Sequence, residues 1–342
     1  MGQYILVTKT RVVVSKSFNP YFNLALEELL LNKVEQEEVI LYLWQNENTV
    51  VIGRNQNPWK ECNLELLSRV NGKVARRLSG GGAVYHDLGN LNFTLVMREE
   101  NEDLSKQLGV IIRALKELGI EAVFSGRNDI LVDNKKISGN AFYREENKYY
   151  HHGTLLFDVD MEILPKILTP SIEKLQSKGI DSVKSRVINL KQCRQELTID
   201  LLIKALIKSF EYYYGKADTN QEVDESFGEV CGNDMEEIYM KYSSDNWLYG
   251  DCPNFHASLK KQFQDGSYEL NLQVEDGKIS KCKIYTDSLR TKGVNNVETL
   301  LEGCSFNKTH VIKSLKDYKD KYGHSDAEVI NIIEEIIEDI AF

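Results

Sequence analysis

Proline and cysteine are both scarce in this chain of 342 residues, at five and six copies, and no run of about 18 apolar residues occurs. The missing apolar run excludes a membrane-spanning helix by length. Residues 1–14 lack a charged head followed by a long apolar core, which leaves no signal peptide and predicts a soluble, cytoplasmic protein. The cysteines (Cys62, Cys193, Cys231, Cys252, Cys282 and Cys304) are scattered without a Cys-x-x-Cys pair. That spacing argues against a disulfide framework and against a zinc site, so free thiols are expected. No long basic run offsets the net charge of -10, which argues against nucleic-acid binding as the main function. Two phosphate-binding patterns are missing as well. There is no Gly-x-x-x-x-Gly-Lys-Ser/Thr and no Gly-x-Gly-x-x-Gly opening a helix, so neither a P-loop nor a conventional dinucleotide site is present.

What the chain does contain is a run of three glycines in an unusual setting: Arg76-Arg77-Leu78-Ser79-Gly80-Gly81-Gly82-Ala83-Val84-Tyr85-His86-Asp87. Each glycine costs roughly 0.5–1 kcal/mol of extra chain entropy on ordering. Backbone amides brought close to a charged ligand would justify that cost. Strand-like flanks at 73–75 and 91–96 favour a built turn over a loose loop. A second segment reads Arg127-Asn128-Asp129-Ile130-Leu131-Val132-Asp133-Asn134-Lys135-Lys136-Ile137-Ser138-Gly139-Asn140. Asp133-Asn134 predicts a tight turn between short strands. Alternation then turns Lys135 and Lys136 to opposite faces, with Lys136 and Ser138 together facing a pocket. A third strand, Tyr149-Tyr150-His151-His152-Gly153-Thr154, should by the same rule turn His152 inward and His151 outward.

In their order and spacing these segments resemble the lipoate–protein ligase family, within the biotin/lipoate ligase superfamily. Trp44 at the end of an apolar strand, Gly53-Arg54-Asn55-Gln56-Asn57 and Lys184-Ser185-Arg186 add to the likeness, which is ordered over about residues 20–215. The resemblance implies an α+β fold: a large catalytic domain over residues 1–246, with mixed or antiparallel sheets and flanking helices, and a small α+β accessory domain over 253–342. It implies an enzyme that activates lipoate with ATP and Mg²⁺ as lipoyl-adenylate. The lipoyl group then passes to one lysine of an apo-lipoyl domain, in 2-oxoacid dehydrogenase E2 subunits or the glycine cleavage H protein. It also implies a monomer.

Matched residue by residue, Lys136 is the catalytic cation. Arg77, Gly82, Ala83, Val84, Tyr85, Lys136 and Asp129 correspond to the ATP site, Asp129 being also the candidate Mg²⁺ ligand. Trp44, Ser79, Gly81, His86, Lys136 and His152 correspond to the lipoate pocket. Tyr285-Thr286-Asp287-Ser288-Leu289 departs from the acidic-aromatic piece expected there, so no role is carried into the accessory domain.

Three other readings compete. An octanoyl or lipoyl transferase on the same fold would use a Cys thioester, which keeps Cys62 and Cys193 in view, although Ser171 stands where one transferase branch has its cysteine. A biotin–protein ligase would need a Gly-Arg-Gly-Arg loop, which is absent. A non-catalytic lipoyl-binding module would keep the same pocket residues.

Overall fold

Short β-branched and aromatic runs separated by polar turns build most of an eight-stranded mixed sheet. Its order is Thr219–Val223 (β11), Lys9–Ser15 (β1), Glu38–Trp44 (β2), Asn90–Arg98 (β6), Lys148–Leu156 (β10), Lys135–Glu145 (β9), Asp129–Val132 (β8) and Val123–Phe124 (β7). β1 runs parallel to β11 and β2, and the remaining neighbours pair antiparallel. This computed structural model describes residues 7–125, 128–168, 187–226, 233–249, 257–275, 277–322 and 326–338. Arg127, residues 169–171 and 184–186, Cys231 and Cys252 lie outside the described residues.

Both faces of the large sheet are covered. On one, helices Leu104–Glu117 and Ile199–Tyr214 contribute Val110, Ile111, Leu115, Leu202, Leu206 and Phe210 to a core shared with Val12, Leu41, Phe93, Leu95 and Tyr149. On the other lies helix Pro20–Lys33, started by Asn19, whose side chain accepts from the Tyr21 amide at 3.1 Å. This helix buries residues all round its axis, and helix Asn233–Ser243 packs outside it.

The predicted turn between β8 and β9 is present. Asp133 and Asn134 have φ of 49° and 61°, the left-handed pair that a two-residue turn joining right-twisted strands requires. One detail differs from simple alternation. Ile130 pairs with Ser138 but Leu131 pairs with Lys136, which leaves Ile137 as an extra residue, a bulge on β9.

Thr219–Val223 is an edge strand. Four of its five residues are exposed, so no apolar alternation marks it, and the β1 backbone recruits it. The glycine run follows Lys73–Arg76 (β4) and leads into Val84–His86 (β5), both of which flank Thr49–Ile52 (β3) in a separate three-stranded sheet. Residues 91–96, expected as the turn's second flank, lie in β6 of the large sheet.

The chain divides into two compact units. The first comprises residues 1–51, 59–76 and 84–244, and the second comprises 52–58, 77–83 and 245–342. The second contains a three-stranded antiparallel sheet of Ala257–Gln262 (β12), Ser267–Glu275 (β13) and Lys278–Thr286 (β14). Helices Val294–Leu301, Lys308–Tyr322 and Ala327–Glu338 cover it, burying Val297, Leu301, Leu315, Ile330, Ile333 and Ile337 against Tyr268, Leu270 and Ile284. The fold class is α+β, as predicted. Among the described residues no helix is long and apolar enough to cross a membrane.

Candidate active site

Lys136 projects from β9 just beyond the two-residue turn. Its Nζ lies 2.8 Å from Asp129 Oδ1, both side chains being about one-third exposed. A Cβ placed on Gly139 would come within 2.8 Å of that Nζ, so the ammonium occupies the space that glycine leaves open. Ser138, expected on the same face as Lys136, is fully buried and receives a hydrogen bond from Asn140 Nδ2 at 3.4 Å. The bulge at Ile137 is the reason: it breaks alternation and groups Lys136 with Gly139 instead. Lys135 is exposed.

Further along the same sheet, on the face of helix Pro20–Lys33, a buried polar chain links Trp44 to His152. Trp44 Nε1 donates to Thr94 Oγ1 at 3.1 Å, Thr94 Oγ1 donates to Glu27 Oε1 at 2.6 Å, and Glu27 Oε1 lies 2.9 Å from His152 Nδ1. Trp44 also meets the edge of His86 at 6.0 Å, and His86 Nδ1 is 3.2 Å from Asn46 Nδ2. Three residues matched to the lipoate pocket, Trp44, His86 and His152, therefore share one buried neighbourhood. Glu27 and Thr94 belong to it too, and the sequence reading missed both. A pair of acids inside the Leu-rich run Leu24-Ala25-Leu26-Glu27-Glu28-Leu29 was the available signal, because a carboxylate that such a helix buries needs partners.

His151 was expected to point outward. It is fully buried instead, between the rings of Phe93 and Phe142 at 5.4 and 4.8 Å. β10 is a central strand, so its second face is covered as well. Burial, with the neighbouring His152 adding to it, pulls the His151 pKa down to about 3.

In the second unit the glycine run is held by its own arginine. Arg77 Nε donates to Ser79 Oγ at 3.0 Å, and its Nη2 reaches the Gly80 and Gly82 carbonyls at 2.7 and 2.8 Å. Gly81 has φ of 93° and donates its amide to the Ser288 carbonyl at 2.9 Å. A Cβ on Gly53 would lie 2.2 Å from the Gly81 carbonyl, so that close approach requires glycine. A Cβ on Gly82 would meet nothing within 4 Å, and Gly82 and Ala83 are part-exposed. In the first unit, Val84 is likewise part-exposed, while Tyr85 is buried and donates to Asn48 Oδ1 at 3.1 Å.

A model of the lipoyl protein ligase A/B catalytic domain matches residues 19–211, and one of the bacterial lipoate protein ligase C-terminus matches 252–336. Lipoate-protein ligase A of Blochmanniella floridana is 40% identical over 302 residues, covering 87% of this chain and 89% of that protein. The chain belongs to the lipoate–protein ligase family. A solved family structure, P. falciparum LipL1 in complex with lipoate, matches with a TM-score of 0.82 and 32% identity, over 96% of this chain and all of that one. An archaeal bipartite lipoate protein ligase from Thermoplasma acidophilum, described with its E2 lipoyl domain, gives 0.63 and 26% over 73% of this chain and 99% of its own. A lipoate-protein ligase A bound with ATP gives 0.60 and 25% over 70% and 98%.

The cysteines bear on how such a ligase works. Cys62 is buried, and burial with the nearby Glu61 pushes its thiol up to about 11. The Cys193 thiol is also raised, by desolvation and Asp133. Neither environment favours a thiolate nucleophile. Among the described residues no group of three or more His, Cys, Asp or Glu is placed to hold a metal ion.

Proposed function

We propose that this lipoate–protein ligase works through an acyl-adenylate, with Lys136 as its fixed cation. The lipoate carboxylate attacks the α-phosphorus of ATP, one carboxylate oxygen bonds to phosphorus, and pyrophosphate leaves. The ε-amine of an acceptor lysine then attacks the adenylate carbonyl and AMP leaves, with the amine proton passing to solvent. The acceptors on this reading are apo-lipoyl domains of E2 subunits and the glycine cleavage H protein. The catalytic part lies in residues 1–246 and the accessory domain in 253–342 of a monomeric cytoplasmic enzyme.

The observation that carries the reading is the placement of the Lys136 ammonium, held by Asp129 at 2.8 Å in space cleared by Gly139. Both the incoming carboxylate and the phosphates are anionic, and a cation fixed in advance stabilises the charge that builds up between them. Trp44, His86 and His152 are assigned to the lipoyl group, and by their match to the family so are Ser79 and Gly81. Arg77, Gly82, Ala83, Val84 and Tyr85 take the nucleotide, and Arg77 also stiffens the turn through the Gly80 and Gly82 carbonyls. Asp129 is the one protein carboxylate that would hold Mg²⁺, a metal that would come with the nucleotide and supply charge to neutralise its phosphates.

The raised Cys62 and Cys193 thiols favour adenylation over a Cys thioester. Incubation with lipoate, ATP, Mg²⁺ and an apo-lipoyl domain should release pyrophosphate and AMP. Both products should persist when Cys62 and Cys193 are replaced by Ser. Lipoyl or octanoyl transfer from an acyl carrier protein without ATP, lost in either serine variant, would overturn the reading.

A further inference from the structure

We infer that His151 is a positioning residue for Lys136, acting through Asn140 and the Asn128 carbonyl; the inference rests on the role of Lys136 proposed above. His151 Nε2 lies 2.9 Å from Asn140 Oδ1. Asn140 Oδ1 can only accept, so Nε2 carries the hydrogen and Nδ1 is bare. Nδ1 has no hydrogen-bond partner among the described residues, as suits a nitrogen without a proton. The ring stays neutral because it is fully enclosed.

With its oxygen held by His151, the Asn140 amide has one orientation. Its Nδ2 donates to the Asn128 carbonyl at 2.9 Å, and the Asn140 backbone amide donates to the same carbonyl at 2.8 Å. Two donors on one carbonyl pin the peptide that leads into Asp129. Asp129 then fixes the Lys136 ammonium at 2.8 Å. The chain of contacts runs across three strands, from β10 through β9 to the start of β8.

Two glycines of the motifs make room for this relay. A Cβ on Gly153 would sit 2.8 Å from Asn140 Oδ1 and 2.7 Å from Phe93, where it would push the amide out of line. A Cβ on Gly139 would sit 2.8 Å from Lys136 Nζ. Clearance at both the first and the last link argues for a shared purpose. Packing between Phe93 and Phe142 alone would be served as well by an aromatic ring at 151, and such a ring could not donate to Asn140.

The test compares the wild type with His151→Phe, His151→Gln and Asn140→Asp in lipoate-dependent ATP–pyrophosphate exchange, alongside thermal melting. His151→Phe keeps the ring and removes the donor. Gln places an N–H near the position of Nε2. Asn140→Asp keeps the shape and removes the donor to Asn128, so it decides the matter if His151→Phe fails to fold. His151→Phe and Asn140→Asp should lower kcat about tenfold or more with the KM for lipoate within about twofold, the pattern of misplaced chemistry. His151→Gln should recover kcat to within about threefold. A wild-type kcat in His151→Phe, a His151→Gln as impaired as His151→Phe, or losses that simply track melting temperature would each overturn the inference. Absence of exchange in the wild type would sink the adenylation reading beneath it instead.

Discussion

Replacing Gly139 by Ala should disable Lys136 while leaving the fold intact. The new Cβ would lie 2.8 Å from Lys136 Nζ and 3.1 Å from its Cε, so the ammonium must retreat. The obstructed atom ends a flexible four-carbon stem, which makes the retreat inexpensive for the fold. Gly139 does not have a positive φ, so alanine fits its backbone and even reduces unfolded-state entropy. Stability should therefore stay level or rise by about 0.4–1 kcal/mol. Activity should fall all the same, because a displacement of roughly 0.6 Å stretches the Asp129 contact and moves the cation away from its working position. A loss of about 10–100-fold in the rate of lipoyl-adenylate formation follows, equivalent to about 1.4–2.7 kcal/mol of transition-state stabilisation. Single-turnover pyrophosphate release measures it, with a urea or thermal melt run on the same preparation. Combined with Lys136→Ala, the glycine substitution should cost nothing further, since both act on one group. A Gly139→Ala enzyme with the wild-type rate would refute the placement of Lys136 as functional, and a marked drop in melting temperature would refute the steric argument.

Lys136→Ala should lower adenylation by roughly 10²-fold or more with an unchanged melt, whereas Lys135→Ala on the exposed face should change little; equal losses would refute the face assignment. Gly81→Val should abolish binding of a non-hydrolysable lipoyl-adenylate mimic in calorimetry, because the φ of 93° disfavours any side chain and a Cβ would lie 3.0 Å from both Arg77 Nη2 and Leu289 Cδ2; unchanged affinity would make the glycine run a turn only. The buried His151 should make the protein acid-sensitive. The unfolded chain takes up its proton below about pH 6.5 and the native state only near 3, so stability present above pH 6.5 is lost as pH falls through that window. By pH 4.5 the loss is on the order of 2–3 kcal/mol, and His151→Gln should abolish it in urea titrations at pH 7 and 4.5; an equal fall in the variant would refute the assignment.

Much of this protein was legible before any fold was known, wherever the signal is local. Asn19-Pro20 starts a helix because a cap and a pre-set φ act within one turn. Asp133-Asn134 makes a two-residue turn because both residues tolerate positive φ. The hairpin between β13 and β14 likewise turns at Gly277, with φ of 72°. The glycine run, the Lys136 segment and the two histidines stood out by residue type and order, and with them the family.

Tertiary structure decided the rest. Alternation along a strand says which side chains share a face, but whether that face is covered depends on helices far away in the chain. The rings of Phe93 and Phe142, both packed in the core under helices Leu104–Glu117 and Ile199–Tyr214, enclose His151, and helix Pro20–Lys33 brings Glu27 to within 2.9 Å of His152, 125 residues on. The edge strand Thr219–Val223 has no pattern of its own and exists because β1 offers it a backbone to pair with. The bulge at Ile137 is a property of two strands in register, and it moved Lys136 from the company of Ser138 to that of Gly139. A sequence records what each residue can do with its near neighbours. Which charge lies over which glycine is settled only when strands pair in register, about 5 Å apart.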